Sequence, residues 1–195
     1  MHMILAMLAL ALLPVQATAQ EHWTCDAHDY RYDMTLYVAL MRGANAETDY
    51  SNYEIAAFVG DECRGVMEPM TLAHNGTTYH LGYLRVRSNV TAGETVSLKL
   101  YDRSKETEVP LAYLVDFSAD TMVGLPSSPE PLYRHILGDC NGDGNVSIVD
   151  VMQAVDYILD DGRTSLVFMN SDINLDENIT VVDVMAIVDI ILLGE

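Results

Sequence analysis

The sequence predicts a mainly β region over residues 20–135, folded as a β-sandwich, followed by a small all-α region over residues 136–195. The β prediction rests on several short segments in which apolar and polar residues alternate, as they do along a half-buried strand. The α prediction rests on a sequence that repeats itself after 33 residues, and each copy ends in an apolar pattern with helical spacing.

Residues 1–19 read as a signal peptide. An apolar run from Met3 to Leu13 is followed by Ala17 and Ala19, which give the small-x-small pattern of signal peptidase sites. The run is too short to span a bilayer, which needs about 20 residues, and no other segment is long enough to cross a membrane. We therefore expect an exported protein, either secreted or held at the cell surface.

Five segments of the first region are typical of strands separated by turn residues. Met34–Leu40 places apolar side chains at every second position, and Gly43, Gly60 and Asn75-Gly76 are among the turn signals. The other predicted strands are Tyr53–Val59, Tyr79–Val86, Thr95–Tyr101 and Pro110–Phe117. Short strands at this spacing favour a β-sandwich, with Leu125–Pro131 as a stiff connector to the next region.

Three cysteines remain after the predicted signal peptide: Cys25, Cys63 and Cys140. Because the number is odd, at least one is free or pairs between chains. A Cys25–Cys63 disulfide and buried free thiols are both open interpretations. The absence of a CxxC motif argues against a zinc site or a thioredoxin-type motif.

The repeat in residues 136–195 contains two 12-residue loops, Asp139–Asp150 and Asp172–Asp183. Both fit the EF-hand type of calcium loop, in which alternate residues wrap oxygen atoms around an ion that takes about six to eight of them. Side-chain oxygens fall at loop positions 1, 3, 5, 9 and 12, and position 7 offers its backbone carbonyl. The candidate metal ligands are Asp139, Asn141, Asp143, Asn145, Ser147 and Asp150, then Asp172, Asn174, Asp176, Asn178, Thr180 and Asp183.

Each loop runs into a segment with an apolar stripe, so the sequence predicts two helices that bury these stripes against each other. The stripes are Ile148, Val151, Met152, Val155, Ile158 and Leu159, then Val181, Val184, Met185, Val188, Ile191 and Leu192. Gly162 and Gly194 are the expected helix stops.

Position 6 of the two loops differs. This position needs a positive φ, which Gly144 adopts freely, whereas Glu177 occupies it in the second loop. A side chain in the left-handed region costs roughly 1 kcal/mol. We therefore expect two Ca²⁺ sites, of which the second is weaker or distorted.

Paired loop–helix repeats with Asp at position 12, and no clear helix before the first loop, resemble the type I dockerin family. The resemblance implies one calcium ion per repeat and docking onto a cohesin module, with partner choice read at four positions of each repeat. Those positions hold Ile148, Val149, Val155 and Asp156, then Val181, Val182, Val188 and Asp189. The familiar pattern has Ser/Thr and Lys/Arg there, so the partner differs from the usual type or these apolar residues pack in the core.

The first region offers no visible catalytic motif. The stretches Tyr53–Gly65, Tyr83–Val86 and Leu98–Asp102 resemble an uncharacterised β-module of exported Bacteroidetes proteins, which implies a context but no activity. Serines lack a nucleophile-elbow motif, and sequence alone pairs no carboxylates across a sugar cleft. Enzymatic activity is thus an open question, with a non-catalytic protein favoured.

The net charge of -19 argues against nucleic acids and anionic membranes as partners. Residues 136–195 hold 12 acidic residues and 1 basic residue, which is consistent with cation binding. The favoured function is an exported calcium-binding protein that assembles through its dockerin-like region and displays an adhesive or ligand-binding β-module. The alternative is a component of polysaccharide degradation, whose β region binds carbohydrate or acts as a small O-glycosyl hydrolase.

Overall fold

The computed structural model describes residues 21–194, so the predicted signal peptide lies outside the described residues. Ten strands lie between residues 32 and 132, and three helices follow between residues 148 and 193. The strands are β1 (Tyr32–Arg42), β2 (Asn45–Ala46), β3 (Tyr53–Val59), β4 (Glu62–Val66), β5 (Glu68–His74), β6 (Thr77–Ser88), β7 (Ala92–Asp102), β8 (Thr107–Ser118), β9 (Met122–Val123) and β10 (Glu130–Leu132). The helices are α1 (Ile148–Leu159), α2 (Phe168–Ser171) and α3 (Val181–Leu193).

The strands form two sheets that share one hydrophobic core. The first sheet has the order β10-β1-β6-β5, with β2 and β9 also pairing with β1, and the second has the order β4-β3-β7-β8. Antiparallel pairing of β1 with β6 sets Leu36 opposite Leu84 on the inner face. Ile55 and Leu98 from the second sheet belong to the same buried cluster. The predicted mainly β fold of this region is confirmed.

All five predicted strand segments lie in strands, but the structure contains strands that the pattern did not predict. β4 carries Arg64 and Gly65, and most of β5 is exposed, so neither shows clear alternation. The predicted connector Leu125–Pro131 includes the start of β10, because Glu130–Leu132 pairs in parallel with Val38–Leu40. This pairing places the start of the helical region beside β1.

The helical region has a small core of its own. Cys140, Ala154 and Ile187 are fully buried, and half-buried apolar side chains pack around them: Val146, Val151, Ile173 and Val184. Gly194 ends α3 with a φ of 70°, as expected for a helix stop. The predicted small helical region is confirmed.

The apolar stripes of α1 and α3 are only partly buried, contrary to the prediction. Val151 and Val184 pack on the small core, whereas Ile148, Met152 and Leu159 on α1 are exposed. The stripe is wider than one neighbouring helix can cover, and nothing else in the described chain lies over that face. Within residues 21–194, the structure has no helix that combines the length and the apolar character needed to cross a bilayer.

Candidate metal centre

Both loops join their helices through the same cap. Ser147 is the N-cap of α1, and its hydroxyl accepts a hydrogen bond from the N–H of Val149 at 3.2 Å. In return, the Asp150 carboxylate accepts one from the N–H of Ser147 at 2.8 Å. This reciprocal arrangement is a capping box, which satisfies N–H groups that the first helical turn leaves free. It fixes loop position 12 on the first turn of the helix.

The first loop is organised by carboxylates that accept from its own backbone. Asp139 accepts hydrogen bonds from the N–H groups of Asp143 and Gly144, at 3.0 and 2.9 Å. Asp150 also accepts from the N–H of Asn141 at 3.1 Å, which ties the end of the loop to its start. The chain therefore curls around the side chains of positions 1 and 12.

The second loop repeats this arrangement. Asp172 accepts from the N–H groups of Asp176 and Glu177, at 3.1 and 2.9 Å. Asp183 accepts from Thr180 N at 2.9 Å, within the capping box of α3. The two loops thus share one hydrogen-bond pattern, as the 33-residue repeat predicts.

The loops hold buried negative charge that no side-chain cation offsets. Asp139, Asp150, Asp172 and Asp183 are all buried. The ion pairs of the described chain lie among residues 22–108, far along the sequence from both loops. Burial raises the pKa of Asp139, hydrogen bonding from Gly144 lowers it, and the charge of Asp150 raises it further. Backbone N–H groups donate to these carboxylates but carry no net charge, and buried charge without a countercharge is costly, so these loops favour a bound cation.

The donor atoms fit a hard cation. Each loop offers carboxylate, amide and hydroxyl oxygens, the ligand set that Ca²⁺ prefers over the nitrogen and sulfur ligands of zinc. In residues 21–194, no group of three or more His, Cys, Asp or Glu side chains converges as a metal cluster. The carboxylates instead point at N–H groups of their own loops. The residues present fit calcium through mixed oxygen donors.

The predicted partner-binding residues fall into three groups. Ile148, Val149, Val181 and Val182 are exposed at the first turns of α1 and α3, so core packing does not explain them. Val155 and Val188 are half-buried, while Asp156 and Asp189 are exposed. Of the two alternatives left open by the sequence, a docking role fits the exposed residues of the first turns. Core packing remains an explanation for the half-buried Val155 and Val188.

Sequence reasoning missed Asn170, a fully buried residue that joins the helical region to the segment entering the first loop. Its side-chain amide donates to the carbonyls of Arg134 and Asp139, at 3.0 and 3.1 Å. Its side-chain oxygen accepts from the N–H of Ile136 at 3.1 Å and lies 3.0 Å from His135 Nδ1. Asn170 lies outside the repeat pattern, so the sequence carried no signal for this role.

The first loop also contacts the β-rich region. The N–H of Gly43, in the turn after β1, donates to the carbonyl of Gly142 at 2.7 Å. The Tyr133 ring lies against Gly142. A Cβ atom on residue 142 would be only 2.3 Å from Cδ1 of Tyr133. The β-rich region thereby supports the first loop directly.

The comparisons with known proteins agree with this geometry. Residues 137–192 match the family model of the dockerin type I domain. Searches of curated proteins and of solved structures give no match. Dockerin domains bind Ca²⁺ in EF-hand-like repeats. The chain therefore carries a dockerin type I domain at residues 137–192, preceded by a β-rich region.

Proposed function

We propose that this is an exported, non-catalytic protein that binds two Ca²⁺ ions and assembles with a cohesin-like module through its dockerin domain. The observation that carries the proposal is an apolar surface on α1 and α3, here named the helix face. It consists of six side chains that are 52–64% exposed: Ile148, Val149, Met152, Val181, Val182 and Met185. Each α1 member has its α3 counterpart at the same position of the repeat.

The helix face has the character of an interface. Soluble proteins rarely leave several large apolar side chains of one helix turn in water unless a partner covers them. Asp156 and Asp189 are exposed on the same two helices, one turn or two beyond the apolar residues. A cohesin-like partner that presents an apolar patch bordered by Lys or Arg would be complementary to this surface.

Calcium would control this interface. In the proposal, one ion is held by the six oxygen-bearing residues between Asp139 and Asp150. A second ion is held by their counterparts between Asp172 and Asp183. The ion supplies positive charge that offsets the buried carboxylates. Ile148, Val149, Val181 and Val182 directly follow loop position 9, so ordering of the loops also orders four of the six residues of the helix face.

The test measures binding of the full chain to a panel of purified cohesin modules by surface plasmon resonance, in calcium and in EGTA. We expect calcium-dependent binding that the paired substitutions Val149→Glu and Val182→Glu abolish. Leu114→Glu is the matched control, because Leu114 is 57% exposed but lies on β8, away from the helix face. Binding that survives the paired substitutions, or no binding to any cohesin, contradicts the proposal.

A cleft in the β-rich region favours a second candidate, carbohydrate binding. This open cleft has a volume of about 470 Å³ and combines aromatic and polar side chains, among them Asp49, Tyr53, Thr71 and His80. Such a mixture suits a sugar, which has apolar ring faces and hydroxyl edges. A glycan array with the full chain and with Asp49→Ala, together with a hydrolysis screen, tests it. Glycan binding lost in Asp49→Ala supports the candidate, and turnover would indicate a glycoside hydrolase.

A further inference from the structure

The segment before β1, residues 21–31, lies against the second sheet and is anchored at both ends. At one end, the N–H of Trp23 donates to the Glu54 carboxylate at 2.7 Å, and its ring meets Phe58 edge-on at 5.4 Å. The neighbouring His22 ring stacks on Tyr101 at 3.7 Å. Glu54 lies in β3 and is buried, so this end of the segment is held to the sheet itself.

The other anchor is Tyr30, which contacts β4. Its hydroxyl donates to the Glu62 carboxylate at 2.5 Å, and its ring lies 5.2 Å from the Arg64 guanidinium. Glu62 and Arg64 are the two residues on either side of Cys63. Phe58, which Trp23 covers, is the residue directly opposite Cys63 in the β3–β4 pairing. The two anchors therefore contact residues that neighbour Cys63 in the sheet, and Cys25 lies between the anchors in the chain.

Contacts of the two sulfur atoms agree with this placement. Arg87 donates to the Cys25 sulfur at 3.8 Å, and its carbonyl accepts from Arg64, the neighbour of Cys63, at 3.2 Å. Burial raises the pKa of the Cys63 thiol, and negative charge on Cys25 raises it further. Both side chains are only partly buried and both thiols are free in this structure.

The third cysteine is excluded by its position. Cys140 is fully buried in the small core of the helical region, between Ala154 and Ile187. With no exposed surface, its sulfur is not accessible to a disulfide oxidant in the folded protein. The odd count of cysteines thus divides into two partly exposed thiols that share Arg87 and Arg64 as neighbours and one isolated core thiol.

We propose that Cys25 and Cys63 form a disulfide that fastens the segment of residues 21–31 to the strand β4. The oxidant is a small disulfide such as oxidised glutathione, or a protein disulfide of the exporting compartment. The Cys25 thiolate attacks the oxidant to give a mixed disulfide and one released thiol. The Cys63 thiolate then attacks the Cys25 sulfur and releases the second thiol, so two protein thiols are oxidised and one disulfide is reduced.

The bond would protect an edge. β4 is the outer strand of its sheet, and an outer strand exposes N–H and C=O groups that can pair with another chain. The anchored segment reaches this edge strand through Tyr30, while Trp23 holds it to the adjacent strand β3. A covalent bond from Cys25, which lies between the two anchors in the chain, to Cys63 would keep the segment on the sheet when thermal motion loosens the hydrogen bonds.

The experiment compares the full chain after oxidised glutathione with the same protein after reduction, both in calcium. Native alkylation followed by peptide mass spectrometry should yield a Cys25–Cys63 cross-linked peptide, two hydrogens lighter than the sum of its parts, with Cys140 as a thiol. The reduced protein should melt roughly 5–10 °C lower. Cys25→Ser, Cys63→Ser and the double variant should lose the same amount, because each removes the same bond.

Several results would overturn the proposal. One is that Cys25 and Cys63 are both alkylated in the native, glutathione-treated protein. Others are a cross-link to Cys140 or a disulfide between two chains. If a serine variant does not fold, the comparison of oxidised and reduced wild-type protein still decides the question, since it needs no substitution.

Discussion

The two calcium loops share their hydrogen bonds but differ in the residues that must adopt a left-handed backbone. In the first loop, positions 4 and 6 are Gly142 and Gly144, with φ of 71° and 94°. In the second loop, the same positions are Leu175 and Glu177, with φ of 59° and 65°. The shape of the loop, set by carboxylates that accept N–H groups, therefore demands positive φ at two positions. Only the first loop has residues that adopt it without strain.

The surroundings of the loops explain why only one of them keeps glycine at position 4. Tyr133 occupies the space where a Cβ of residue 142 would lie. Leu175 meets no such neighbour and is 77% exposed. A side chain at position 4 is thus merely strained in the second loop but sterically blocked in the first. Contact with the β-rich region therefore constrains the first loop in addition to calcium ligation.

Removal of calcium should have the largest effect and should separate the loops. At free calcium a thousand times its dissociation constant, each site contributes about 4 kcal/mol to the free energy of unfolding. Strain at Leu175 and Glu177 opposes ordering of the second loop, so we expect two dissociation constants, the weaker by roughly tenfold or more. Titration calorimetry on chelated protein, with urea unfolding followed by circular dichroism, measures both effects.

Two isosteric substitutions, each of which removes the negative charge of one carboxylate, assign the binding phases. Asp150→Asn should remove the tighter phase, and Asp183→Asn should remove the weaker one. Both residues hold the same position in their capping boxes, so each substitution weakens a helix cap in the same way. The two variants therefore differ in which loop loses its ligand, and each serves as the control for the other. Two equal dissociation constants, or the opposite assignment, would show that backbone strain does not rank the sites.

Gly142→Leu places at position 4 of the first loop the residue that the second loop has there. It should have the next largest effect on the free energy of unfolding. The new side chain meets Tyr133 in addition to adopting a positive φ. We expect a loss of about 3 kcal/mol in unfolding free energy, measured by urea denaturation in saturating calcium. The reverse change, Leu175→Gly, should stabilise slightly. If the two substitutions change the free energy of unfolding by equal and opposite amounts, the Tyr133 side chain moves aside at no cost and its contact with residue 142 is unimportant.

Asn170→Ala should lower the free energy of unfolding somewhat less than Gly142→Leu does. Its effect on calcium binding should be confined to the first loop. The substitution leaves the carbonyls of Arg134 and Asp139 without a donor and the N–H of Ile136 without an acceptor. Unsatisfied buried groups of this kind cost about 2 kcal/mol. We expect a weaker affinity in the tight calorimetric phase and no change in the other. A change in both phases would indicate that Asn170 holds the helices together and does not position the first loop.

Sequence patterns predicted the parts of this molecule that depend on periodicity. The strand Tyr53–Val59 and the helices whose apolar stripes begin at Ile148 and Val181 follow from local rules and lie where expected. Glu177 was expected to adopt a positive φ for the same reason. Leu175 could have been found as well, because the repeat aligns it with Gly142.

The remaining features depend on contacts between distant parts of the chain. No local pattern marks Asn170 or the parallel pairing of β10 with β1, since both need a three-dimensional arrangement to acquire a partner. The exposed half of the α1 stripe escaped prediction for a related reason. Periodicity identifies which face of a helix is apolar, but burial of that face requires a neighbour, and here the neighbouring helix covers only part of it.

Glu177→Gly should have the smallest effect, a gain of about 1 kcal/mol or less, because relief of the left-handed strain is partly offset by the greater freedom of glycine in the unfolded chain. Glu177→Gln is the matched control, since it keeps the strained side chain but removes a negative charge next to the loop. If strain weakens the second site, glycine strengthens calcium binding in calorimetry while glutamine weakens it or leaves it unchanged. If both variants weaken binding, the charge of Glu177 contributes more than its backbone strain, and the advantage of the first loop comes from Tyr133 and Gly43.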